Sequence, residues 1–281
     1  MPDEITPAMA AAITAQGALV LLGLIVLWRC QFSARADRSF RLPRWDLDVY
    51  PFLILCAIVM VTGLIGQVVL LAFVQALAGP LSEDLQLVAA GGAFQAGLLT
   101  GVLVAVAIVR RLGDAPLTRA STEAPVRPAR PLLVASGATF VVALPILLLC
   151  NLPWLYLLEK FGLSADRQEL VDLFARAESP ALVVVIMLFA IVVAPVTEEL
   201  IFRAGLFRYL RTRVARPLAF GIPAVIFASL HGNLAAFVPL VVLGLIFAIA
   251  YERTGRIAVP MIAHGLFNLN TILLLLSGVS T

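Results

Sequence analysis

The sequence predicts an all-helical, polytopic transmembrane bundle of about eight spans, and two observations lead to this fold class. Of its 281 residues, 62% are hydrophobic and 13% are charged, with a mean hydropathy of +1.03, whereas soluble domains have about 45–50% apolar and about 25% charged residues. The apolar residues also collect in runs close to the about 20 residues that cross a bilayer. A disordered chain, a disulfide scaffold and a nucleic-acid-binding module are therefore excluded.

Eight apolar runs are predicted as helices, at 11–28, 51–78, 85–109, 132–158, 181–207, 217–231, 234–251 and 257–276. The first run is predicted to be a retained anchor, because the residues before it include no Lys or Arg and a cleaved signal peptide needs a basic start. The sixth run is short for a span. Only the hinge His231-Gly232-Asn233 separates it from the seventh.

The basic residues predict the orientation of these spans. Seventeen of the 20 Lys and Arg residues lie in or beside the loops that follow odd-numbered runs. Because cytoplasmic loops are enriched in Lys and Arg, these loops are predicted to be cytoplasmic and both termini extracytoplasmic, in a cell membrane. In the outer loop at 159–180, Leu170, Val171 and Phe174 could form one face of a short surface helix, as a connector or a lid.

Ionisable residues inside the spans mark the candidate site, because each costs about 2.5–3.5 kcal/mol on insertion scales. The fifth run contains Glu198 and Glu199, which point about 100° apart on a helix. Glu199 and Arg203 are spaced i, i+4 and are predicted to pair on one face. This pairing leaves Glu198 alone on another face. The uncharged Gln67 and Gln95 are interpreted as polar residues tolerated in packing.

The two histidines of the chain complete the candidate site. His231 ends the sixth run, and His264 lies in the eighth, four residues before Asn268 on the same face. Glu198 could act as a general base on water that His231 holds. His264 and Asn268 could then donate hydrogen bonds to an oxyanion, so that the set would hydrolyse a peptide bond.

A metal site is the alternative use of these residues. Glu198, His231 and His264 could bind Zn²⁺ and leave a fourth position open. The chain has no HExxH motif and no close metal-typical spacing, which favours the metal-free interpretation.

Three patterns resemble those of the CPBP family, which comprises CAAX prenyl proteases and bacteriocin-processing, Abi-type proteins. They are EExxxR at 198–203, FxxxH at 227–231 and HxxxN at 264–268. The resemblance implies a catalytic transmembrane region at 180–276, whereas the helices and loops of 1–179 carry no matching motif. It also implies a bundle whose cavity opens to the cytoplasm and to lipid.

Within that family pattern, Glu198 and His231 would activate water, and His264 and Asn268 would form the oxyanion hole. Glu199 and Arg203 would have supporting roles. The implied partners are the bilayer and a membrane-associated or lipid-linked protein substrate, with no nucleic acid.

Two other functions fit the same polar residues. Glutamate and histidine relays inside a membrane are typical of transporters and proton channels, although the chain shows no internal repeat of the kind many transporters have. A family member without catalysis, acting as a scaffold or an immunity protein, is the other alternative.

Overall fold

The structure is a computed structural model that describes residues 5–29, 42, 45, 47–111, 131–163 and 180–279. The surface helix predicted in the outer loop falls within 164–179, outside the described residues. The same holds for 30–41 and 112–130, which carry much of the basic charge predicted for the first and third loops.

The described residues form eight helices and thereby confirm the predicted fold class. They are α1 (Pro7–Leu27), α2 (Val49–Ala78), α3 (Glu83–Arg111), α4 (Leu132–Lys160), α5 (180–210), α6 (Arg216–Ser229), α7 (Leu234–Thr254) and α8 (Ala258–Leu276). All but α6 are long and apolar enough to cross a membrane. The short sixth helix and its separation from the seventh are therefore confirmed.

The short hinge between α6 and α7 consists of a tight turn followed by a helix cap. Gly232 adopts a positive φ of 62°, which turns the chain and which glycine accepts without a Cβ clash. The side chain of Asn233 then caps α7 by accepting a hydrogen bond from the backbone N–H of Ala236, at 2.8 Å. Two helices can thus meet with almost no loop, and the junction holds His231 just beyond the end of α6.

Helix α5 contains two π-helical stretches. The π-helical stretches Phe189–Val193 and Leu200–Phe207 flank the α-helical stretch Ala194–Glu199. In a π turn the carbonyl of Ala190 would accept from the N–H of residue 195, but Pro195 has no N–H. That carbonyl is therefore available to a group outside the helix, on the part of α5 that precedes the two glutamates.

The bundle is organised around α4, which packs against α1, α7 and α8. The core shared by α4, α7 and α8 contains Ala143, Leu147, Leu243, Phe247 and Ala263. The pair α2–α3 packs mainly on itself, with Gly66 so close to Gly97 that a Cβ on Gly66 would lie 2.7 Å from the Gly97 Cα. Such small residues let membrane helices approach closely.

The basic segments meet at one end of the bundle. Buried Glu252, near the end of α7, accepts from Arg211 Nε and Arg216 Nη2, both at 2.7 Å. Arg213 Nη1 donates to the backbone oxygen of Trp45, at 3.0 Å. The segments before α2, between α5 and α6 and after α7 therefore share an end, as the charge pattern predicts. Their placement on the cytoplasmic side stays a prediction.

Replacing Glu252 with glutamine should lower the thermal stability of the detergent-solubilised protein. Two guanidinium groups would lose their anionic partner, and breaking a buried pair costs about 3–5 kcal/mol. Because the Arg216 side chain is 56% exposed, water compensates in part, and we expect a loss of about 1–3 kcal/mol.

The matched control is Glu83→Gln at the exposed start of α3, which should change stability by less than about 0.5 kcal/mol. The comparison uses thermal unfolding followed by circular dichroism in one detergent. Equal midpoints for the two variants would contradict the structural role of Glu252.

Candidate active site

Glu199 and Arg203 form a buried ion pair, as their i, i+4 spacing predicts. Arg203 Nη1 lies 3.0 Å from Glu199 Oε1, and the Glu199 side chain is 0% exposed. The guanidinium also sits 4.6 Å from the ring centre of Phe227 and 5.5 Å from that of Phe247, where the negative faces of the rings stabilise its charge. The negative charge of Glu199 is thus compensated by Arg203 inside the protein, and its side chain is shielded from solvent.

Glu198 occupies a different environment, although it is the neighbouring residue. Its side chain remains 18% exposed, and its Oε2 lies 3.8 Å from Nε2 of His264. The 100° turn between consecutive helical residues separates the two carboxylates in this way. Glu198 is therefore the one of the two that a water molecule or a substrate can reach.

His264 bridges the two glutamates. Its Nδ1 lies 3.1 Å from Glu199 Oε1, while its Nε2 faces Glu198. The ring lies 5.2 Å from that of Phe247, which fixes its plane. Because a carboxylate only accepts hydrogen bonds, the proton sits on Nδ1, and Glu199 orients the ring in the manner of a carboxylate–histidine pair.

The contact between Glu199 and His264 joins residues 65 positions apart in the chain. Sequence spacing predicts the ion pair of Glu199 with Arg203 but carries no signal for this contact. It depends on how closely α5 and α8 pack, which local periodicity does not encode.

His231 lies just beyond α6, with its ring against Phe227. Its Nδ1 is 2.7 Å from the backbone oxygen of Phe227, so Nδ1 carries the proton and Nε2 is left as an acceptor. The ring of Phe227 lies 4.7 Å from that of His231 and 6.0 Å from that of His264.

Asn268 faces α5 from the next turn of α8. Its Nδ2 donates to the backbone oxygen of Ala190 at 2.7 Å, the carbonyl that Pro195 leaves without its π-helical partner. One of its two amide hydrogens is therefore used to hold α8 against α5, and the second remains to donate.

The four predicted side chains thus come from α5, from the turn just beyond α6 and from α8. Glu198 and His264 face each other directly. The rings of His231 and His264 both lie near the ring of Phe227. Asn268 is hydrogen-bonded to the main chain of α5.

Glu198, His231 and His264 are also the residues of the zinc alternative. Within the described ranges, no group of three or more His, Cys, Asp and Glu side chains is arranged to hold a metal ion. His264 Nδ1 is engaged by Glu199, and His231 Nδ1 by a backbone carbonyl. These contacts leave Nε2 of both histidines open, as it also is in metal-ligating histidines, so the zinc alternative stays a prediction.

Comparison with known proteins agrees with the motifs. Residues 180–270 match the family model of type II CAAX prenyl endopeptidase Rce1-like proteins. The chain is also 29% identical over 119 residues to the "Putative membrane peptidase YdiL" of Bacillus subtilis (strain 168). That stretch is 42% of this chain and 48% of the relative, so the match spans about half of its length. No solved structure matches the chain.

Proposed function

We propose that the protein is an intramembrane endopeptidase. The premise is that residues 180–270 match the family model of Rce1-like peptidases. It would hydrolyse a peptide bond of a membrane-associated or lipid-linked protein. The observation that carries this proposal is the asymmetry of the two glutamates. Glu199 is buried in an ion pair, whereas Glu198 is accessible and faces His264.

Water activation is assigned to Glu198 and His231. Glu198 takes a proton from a water molecule, whose oxygen then attacks the carbonyl carbon of the scissile peptide bond. The unprotonated Nε2 of His231 accepts a hydrogen bond from the same water and directs it. When the C–N bond breaks, Glu198 returns the proton to the leaving nitrogen, and the products are a carboxylic acid and an amine.

Stabilisation of the oxyanion is assigned to His264 and Asn268. Since Nδ1 of His264 is already protonated towards Glu199, a donor at Nε2 requires the imidazolium form. The second amide hydrogen of Asn268 supplies the other donor, and fixed donors of this type contribute strongly to acyl transfer.

The experiment compares membranes of a host cell that makes the wild-type protein with membranes that contain the Glu198→Gln variant. Mass spectrometry of new N-termini should reveal peptide bonds cut only by the wild type. A reporter built from such a site is then cleaved by purified protein in liposomes. Proton or solute flux through those liposomes without any cleavage product would favour a transporter.

Chelation should leave cleavage unchanged in the purified system, because the proposed water is activated by side chains alone. Liposomes are treated with 1,10-phenanthroline and assayed with the reporter, with a known zinc peptidase treated in parallel as the positive control. Loss of cleavage that added Zn²⁺ restores would overturn the metal-free proposal and assign the residues to zinc.

A further inference from the structure

Gln95 lies on the face of α3 that is turned away from α2. The face towards α2 contains Gly97 and Gly101, where an added Cβ would collide with Thr62. On a helix, Gln95 is about 160° from Gly97 but only about 20° from Val88. Gln95 and Val88 therefore share the opposite face.

That opposite face packs on α5, the helix that carries Glu198. Val88 packs against the buried pair Ile186 and Ile272, and a Cβ on Gly92 would lie 2.9 Å from the ring of Phe189. Further along, α3 contacts the stretch Ala194–Glu199. Gln95 is one turn beyond Gly92 in this direction, between the contact with Phe189 and the stretch that carries the glutamates.

The side-chain oxygen of Gln95 is buried and has no hydrogen-bond partner among the residues that the structure describes. A buried acceptor without a partner costs free energy, and inside a bilayer water seldom compensates. Sequence reasoning interprets Gln95 as packing polarity. Its placement instead leaves an unpartnered amide oxygen on the side of α3 that packs against α5.

We propose that Gln95 binds the main chain of the substrate beside the scissile bond, with Oε1 accepting from a peptide N–H. This inference rests on the proposed peptidase function and adds a binding residue outside the three motifs. The contact requires a free N–H, and in a transmembrane helix those groups are already bonded within the helix. The recognised substrate segment is therefore extended or unwound. Gln95 binds its backbone rather than its side chains.

The test compares Gln95→Met with Gln67→Met, the same change in α2. In liposomes with the cleavable reporter, Gln95→Met should raise KM about five- to tenfold, the effect of one lost hydrogen bond, and leave kcat within about twofold. Its unfolding midpoint should be equal to that of the wild type or higher, because an unpartnered acceptor is removed. Gln67→Met should change neither kinetic constant.

A series of reporters, each N-methylated at one peptide bond near the cut, makes the test specific. One position should raise KM for the wild type and have no additional effect on Gln95→Met, because the two changes remove the same hydrogen bond. An unchanged KM in Gln95→Met, additive effects at every position, or a lower midpoint with parallel loss of kcat would overturn the proposal. A wild-type protein that cleaves nothing would instead overturn the peptidase function itself.

Discussion

Glu198→Gln should abolish cleavage while the protein keeps its fold. Glutamine has the same shape as glutamate but cannot take a proton from water, and a positioned general base contributes about 10²–10⁴-fold. We therefore expect kcat to fall by about 10³-fold or more. The Glu198 side chain is partly exposed and 3.8 Å from His264, so its change removes no close ion pair that the fold depends on.

Glu199→Gln is the matched control, since it makes the same chemical change one residue away. It breaks a buried pair with Arg203 and removes the anion that orients His264, and we expect a lower unfolding midpoint as well as lower activity. The measurements are kcat with the reporter in liposomes and thermal unfolding in detergent. The assignment of Glu198 as the base fails if Glu198→Gln retains cleavage, or if both variants lose stability equally.

Gly265→Ala should reduce cleavage about 100-fold through a single added methyl group. A Cβ at Gly265 would collide with the backbone oxygen of Ile191 in α5, so α8 would have to move away from α5. His264 and Asn268 flank this glycine and both contact α5. A displacement of about 1 Å in catalytic groups can cost about 10²-fold in rate.

Gly221→Ala in α6 provides the control, because a Cβ there meets nothing within 4 Å. It should keep full activity and gain about 0.5–1 kcal/mol of stability from the better helix propensity of alanine. Reporter cleavage and unfolding midpoints are measured for both variants. Wild-type kcat in Gly265→Ala would show that the close approach of α8 to α5 does not position the site.

The helices were predictable because a bilayer imposes a length and a composition on each span. The ends were less so: α1 begins at Pro7, before the predicted run, since Thr6 caps it and Pro suits the first helical position. Helix α7 continues to Thr254, where Gly255 ends it in a left-handed conformation. Neither the cap at Thr6 nor the left-handed Gly255 can be predicted from apolar content alone.

The candidate site was predictable to the extent that charge in hydrocarbon is rare. Glu198, Glu199 and the two histidines stand out against apolar neighbours, and the i, i+4 pair follows from helix geometry. The bridge from Glu199 to His264 and the anchor of Asn268 on Ala190 are different. They arise from the meeting of α5 and α8 and from a π turn, which local spacing does not describe.

The ion pairs of Glu252 hold the ends of α5, α6 and α7 together by charge, while α1 and α2 each bury only 6% of their most apolar stretch inside the protein. Those outer helices, although they pack on α4 and α3, therefore present most of their surface to the surrounding acyl chains. Removal of annular lipid during purification should first loosen α1 and α2. Helices α5, α6 and α7 should stay associated through the ion pairs of Glu252. Nanodiscs, rather than short-chain micelles, are the setting in which the complete bundle should be assayed.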